Sequence, residues 1–141
     1  HTLQARARRE GVNKFVFHDS VKKADLAELM KAADIGMQVL ANVPAFYYGT
    51  SPNKFFDYIA AGLPVLNNYP GWLADMIERE QCGFAVPPAD PGAFADALEA
   101  AADEREKLPD MGRKARALAM REFDREQLAN RWVDWVTGVS K

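Results

Sequence analysis

The stretch T-S-P-N-K-F-F-D-Y-I-A-A-G-L-P-V-L-N, Thr50 to Asn67, decides how the chain is read. Its parts follow one another as loop, helix start, short amphipathic helix, glycine stop and buried strand. Ser51 predicts an N-cap, and Pro52 the first helical position, where a missing N–H is no loss. Phe55, Phe56, Ile59 and Ala60 recur at helical spacing and predict one apolar face. Gly62 stands where a helix ends, and Pro64 keeps it from restarting. Leu63, Val65 and Leu66 then predict an inner strand. The start of this helix is built from small and polar residues, with Lys54 beside it. Free backbone N–H groups and the positive pole of the helix dipole make such an end a natural seat for an anion such as a phosphate. One carboxylate, Asp57, stands near the middle of the otherwise apolar helix.

Outward from this stretch, helix and strand alternate. Thr2 to Glu10 predicts an arginine-rich helix ended by Gly11. Phe15-Val16-Phe17 is a short apolar run and predicts a buried strand, with His18-Asp19-Ser20 as the loop at its end. Ala24 to Ala33 carries Leu26, Leu29, Met30 and Ala33 on one helical face. Ile35 to Leu40 predicts a second strand, and Ala41 to Gly49 an aromatic loop with Phe46, Tyr47 and Tyr48. Downstream, Gly71 to Glu80 predicts a helix ended by Gly83, and Phe84-Ala85-Val86 a strand. Asp90 and Pro91 predict the cap and first position of the next helix, which runs to about Asp103. Further helices start at Pro109 and, capped by Asp124, carry Trp132 and Trp135 as expected core anchors. Short apolar strands between helices predict an α/β fold: a Rossmann-like parallel sheet with helices on both faces, followed by C-terminal helices. In such sheets ligands sit beyond the carboxyl ends of the strands. The loops at His18–Val21, Ala41–Pro52 and Asn67–Gly71 meet that description.

The chain has 141 residues, of which 48% are hydrophobic and 27% charged, with a net charge of −2. That is an ordinary globular composition, long enough for one core, and it gives no charge argument for nucleic acid. The single cysteine, Cys82, lies in apolar company and predicts a buried structural thiol. No Cys/His cluster has metal-ligand spacing, and no apolar run is long enough to span a bilayer.

The segment S-P-N-K-F-F-D-Y-I-A-A-G-L-P-V resembles the donor-site segment of the group 1 retaining glycosyltransferases, which have the GT-B fold. In that family the second glutamate of an E-x7-E pattern directly precedes the apolar run and glycine. Here Asp57 stands in its place, and Gly49 stands where the first glutamate would fall. The S-P-N-K form is similar to a sub-branch acting on sugars of cell-surface polysaccharides, which often lacks that first glutamate. V-F-H-D-S-V at Val16–Val21 resembles the family's nucleobase loop. A-A-D-I-G-M-Q-V at Ala32–Val39 resembles the family's A-D-v-x-v strand, and Gly71–Pro91 resembles its block before the terminal helices. Each of these is weak alone; in order and at familiar spacing they are more specific. The family's G-R-x-x-x-x-K-G loop, which carries the Arg and Lys that clamp the diphosphate, is not in this sequence.

The resemblance implies that residues 1–141 form a single domain, an incomplete C-terminal GT-B lobe lacking its first strands and the N-terminal acceptor lobe. It implies a glycosyltransferase that moves a sugar from a nucleoside diphosphate to an acceptor hydroxyl with retention. The donor is expected to be UDP-linked, and no cofactor is expected, because the nucleotide sugar is itself a substrate. The expected setting is cytoplasmic, with peripheral contact at the inner face of the membrane as an option. A sugar-nucleotide epimerase on the same fold and a non-catalytic nucleotide-binding module stay open as alternatives.

Residue by residue, Asp57 is either an acceptor for a ribose diol or a solvated residue on the polar face of its helix, and the resemblance favours the first. Ser51, Pro52, Asn53 and Lys54 hold the diphosphate, or Ser51 only caps and Lys54 only decorates the surface. Gly49 and Thr50 are expected to offer backbone amides. His18 contacts the base or a hydroxyl, or is plain loop. No residue stands out as catalytic.

Overall fold

The computed structural model describes residues 2–138; His1 and residues 139–141 of the expected domain lie outside the described residues. Three short parallel strands form the sheet: β1 (Gly36–Gln38), β2 (Val65–Asn67) and β3 (Gly83–Ala85), in the order β1-β2-β3. Met37 lies level with Leu66, and Leu66 with Phe84. Helices α1 (Thr2–Arg9) and α2 (Lys23–Lys31) precede β1. Helices α3 (Asn53–Ala61) and α4 (Trp72–Glu80) are the two crossovers. Helices α5 (Pro91–Asp103), α6 (Leu108–Glu122) and α7 (Arg125–Gly138) follow the sheet.

The core lies on the face that carries Val65. Phe55 and Ile59 of α3, Leu73 and Ile77 of α4, Cys82, and Ala115 and Leu118 of α6 close around it. Residues alternate between the faces of a strand, so Ile35, Met37 and Val39 turn to the other side. There α5 shares one cleft with Ile35, through Leu98 and Ala101, and another with Val39, through Phe94. Helices therefore cover both faces, as the alternation predicts.

Several local signals hold. Gly62 caps α3 in the left-handed conformation at φ 75°. Asp90 accepts from the Ala93 amide at 2.9 Å with Pro91 at the first position, and Asp124 accepts from the Gln127 amide at 2.9 Å.

Others are corrected. Helix α3 starts at Asn53, and its N-cap is Pro52 with extended backbone, not Ser51. Pro52 itself keeps an extended backbone at ψ 132°, so the helix begins one residue later than expected, and no side chain caps this end among the described residues. Helix α4 ends on Gln81, left-handed at φ 52°, rather than on Gly83. Lys114 donates to the Gln81 side-chain oxygen at 2.9 Å, and Gly83 instead opens β3.

Phe15, Val16 and Phe17 form no strand and are exposed by 59%, 69% and 37%. A lone strand is not stable without neighbours, and among the described residues none pairs with this run. Trp132 and Trp135 are not core anchors: they are exposed by 62% and 67% on α7, which buries no residue. Among the described residues no helix is long and apolar enough to cross a membrane.

Candidate functional site

The carboxyl ends of β1 and β2 carry a layer of buried amide side chains. Gln38 and Asn67 are wholly buried, and Asn68 nearly so. The Tyr69 carbonyl can only accept, so it fixes the direction of the chain of hydrogen bonds. Asn67 Nδ2 donates to it at 2.6 Å, and Gln38 Nε2 donates to Asn67 Oδ1 at 3.0 Å. Gln38 Oε1 is left without a partner among the described residues, which is uncommon for a buried polar atom. Asn68 pairs with the backbone of Leu40 from both ends, accepting from its N–H at 2.8 Å and donating to its carbonyl at 3.0 Å.

These asparagines hold the loop of residues 39–52 over the sheet edge. The Tyr69 hydroxyl donates to the Val43 carbonyl at 2.9 Å, and the Tyr47 and Tyr69 rings meet edge to face at 5.0 Å. Gly71, at φ 101°, packs so closely on the Tyr47 carbonyl that a Cβ would collide with it. The Trp72 indole donates to the Thr50 carbonyl at 3.1 Å and ties the loop to the start of α4.

The loop delivers residues 49–54 to one place, the amino end of α3. Two of the expected amides are already engaged: those of Gly49 and Thr50 both donate to the Phe46 carbonyl, at 3.2 and 2.9 Å. The amide of Phe55 donates to Pro52 at 3.1 Å. The amides of Ser51, Asn53 and Lys54 have no acceptor among the described residues. Pro52 sits between them without an N–H. Ser51 and Lys54 are themselves exposed. This is the open helix end that sequence reasoning expects, shifted one residue along the chain.

Asp57 follows one turn later, half-buried, without an ion pair among the described residues. Its charge is felt next door: burial first, and then Asp57, push the Tyr58 hydroxyl above its usual range. That hydroxyl donates to the Met37 carbonyl at 3.2 Å. Asp57 opens into two adjoining clefts of about 530 and 690 Å³. Lys23 of α2 and Arg116 of α6 line both. Arg116 donates to the Ala60 carbonyl near the end of α3.

His18 is not gathered with the others. It lies in an exposed irregular segment and makes no hydrogen bond or ion pair among the described residues. Among those residues no group of three or more His, Cys, Asp or Glu is placed to hold a metal ion. Sequence reasoning misses Gln38, Asn67 and Asn68, although polar residues closing apolar strand runs are a readable signal. It also misses Lys23, which only the packing of α2 on α3 brings to Asp57.

An exposed cation and free amides at the amino end of a helix, beyond the carboxyl edge of a parallel sheet, suit an anionic ligand. The family model described as Glycosyl transferases group 1 matches residues 1–104. No curated protein and no solved structure matches significantly. A match over most of the chain, on a parallel α/β sheet with an open helix end at its carboxyl edge, leads to one conclusion: this chain belongs to the group 1 glycosyltransferases.

Proposed function

We propose that this chain carries the nucleotide-sugar site of a retaining glycosyltransferase, with the diphosphate at the amino end of α3 and the ribose on Asp57. The observation that supports the reading is the set of unengaged amides at Ser51, Asn53 and Lys54, with the Lys54 ammonium beside them. As the bond to the sugar breaks, negative charge grows on the leaving diphosphate. Fixed amide dipoles and a nearby cation stabilise that charge without reorganising. Lys in the first turn works against the helix dipole by ~0.3–1 kcal/mol, and an anion there relieves the misfit. The oxygens of the Asp57 carboxylate accept hydrogen bonds and suit a vicinal diol. The Ser51 hydroxyl and the Asn53 amide complete the diphosphate contacts. Pro52 fixes the approach of the loop, and Gly49 and Thr50 shape it rather than donate. His18 reaches the base only if its segment closes over the site.

The chain then acts as one lobe of a larger enzyme. By resemblance of the S-P-N-K loop, the donor is UDP-linked, the acceptor belongs to a cell-surface polysaccharide or glycolipid, and the setting is cytoplasmic. The nucleotide sugar is a substrate, and no separate cofactor enters the reading.

The test is product analysis of the natural protein that carries this chain. It is incubated with a panel of UDP- and GDP-sugars and glycan acceptors, and the products are read by mass spectrometry and anomeric proton NMR. The expected result is a transferred sugar with the anomeric configuration of the donor. An inverted product removes retention, and an isomerised free donor replaces transfer with epimerisation.

A further inference from the structure

We infer that Trp72 is a positioning residue for the proposed diphosphate seat: its indole N–H sets the direction of the Ser51 amide. This rests on the role proposed for the amino end of α3. The Trp72 indole donates to the Thr50 carbonyl at 3.1 Å, and the Thr50 N–H donates to the Phe46 carbonyl at 2.9 Å. Thr50 is thereby held on both sides. Among the described residues its carbonyl accepts from no other group. That carbonyl belongs to the same peptide unit as the Ser51 N–H. The unit is planar and trans, so the two groups point in opposite directions. Fixing the carbonyl on the indole therefore turns the Ser51 N–H away from Trp72. A peptide whose carbonyl accepts a hydrogen bond is also polarised, which makes its N–H a better donor.

The indole side is the core side. Trp72 packs on the buried cluster, with its ring 6.4 Å from that of Phe55 and 6.5 Å from that of Phe56. The Ser51 N–H consequently faces away from the core, and Ser51 is exposed. This N–H has no acceptor among the described residues. Pro52 brings no N–H, so the Ser51 amide joins those of Asn53 and Lys54 across a gap of one residue. Along the chain Ser51 stands before α3, and Asp57 lies a turn inside it. With the ribose on Asp57, the Ser51 amide meets the phosphate farther from the ribose, which is the terminal phosphate of a nucleoside diphosphate.

The natural protein carrying this chain is titrated calorimetrically with UDP and UMP, and with GDP and GMP. Trp72→Phe keeps an aromatic ring on Phe55 and Phe56 and removes the donor. A second form carries benzothienylalanine at position 72, which has the two-ring shape of tryptophan without its N–H and should melt with the wild type. Both should bind the preferred nucleoside diphosphate about tenfold more weakly, the scale of one charge-assisted hydrogen bond. The matching monophosphate, which lacks the terminal phosphate, should change by less than about twofold. Equal weakening of both nucleotides would make Trp72 a packing residue for the whole helix end. Weakening by Trp72→Phe alone, or by neither form, would leave the N–H without a role. Each of these overturns the inference and leaves the donor reading standing. A wild type that binds neither UDP nor GDP removes the donor reading itself, and this inference with it.

Discussion

Cys82 is wholly buried, and burial together with the Glu80 charge pushes its thiol up to about 11. The thiolate is the reactive form, so this cysteine is protonated and shielded at neutral pH. Thiol titration with a disulfide reagent at pH 8 should show no fast phase on the native protein and one thiol in denaturant. A fast native phase would contradict the packing. The linkage has a definite sign. The unfolded thiol ionises first, so this group lowers stability as pH rises between about 9 and about 11. Asp57, by contrast with the buried thiol, is half-open and makes no ion pair among the described residues. At this scale the motif placed Asn53, Lys54 and Asp57 on one helix, and α3 holds all three. The amides of Gly49 and Thr50 were not legible, because their acceptor, the Phe46 carbonyl, arises from a turn within the aromatic loop. Lys23 was not legible either. Nothing in the chain between α2 and α3 reveals that their packing brings it to Asp57.

Helix α3 owes its position to α6 as much as to the sheet. Gly112 of α6 lies against the Gly62 carbonyl, and a Cβ there would collide with it. Gly112→Ala should therefore force the two helices apart and destabilise the fold by ~1–3 kcal/mol, despite the higher helix propensity of alanine. Chemical denaturation measures this, and an unchanged or raised midpoint would contradict the contact. Because α3 carries the helix end and Asp57, the same variant should also weaken nucleotide binding. Elements were legible where one residue type dictates the backbone: Gly62 and Pro64 after α3, Asp90-Pro91 before α5, and Asp124 before α7. They were misread where a partner decides. Phe15–Phe17 has the composition of a strand, but no neighbour among the described residues pairs with it. Trp132 and Trp135 have core composition on a helix that buries no residue. Composition reports what a segment can bury, and only the surroundings determine whether it does.

In the whole molecule, the parallel order β1-β2-β3 places both crossover loops beyond one edge of the sheet. The buried amides of Gln38, Asn67 and Asn68 then fix the loop that presents α3. That architecture was legible from the alternation of short apolar runs and helices. The amide layer was not, because its energy comes from contacts between distant segments. The most direct test of the account is a crystal structure of the natural protein soaked with UDP or GDP. The diphosphate should lie on the amides of Asn53 and Lys54, and both ribose hydroxyls on the Asp57 carboxylate. A nucleotide bound elsewhere, or a helix end closed by the protein's own side chains, would contradict it.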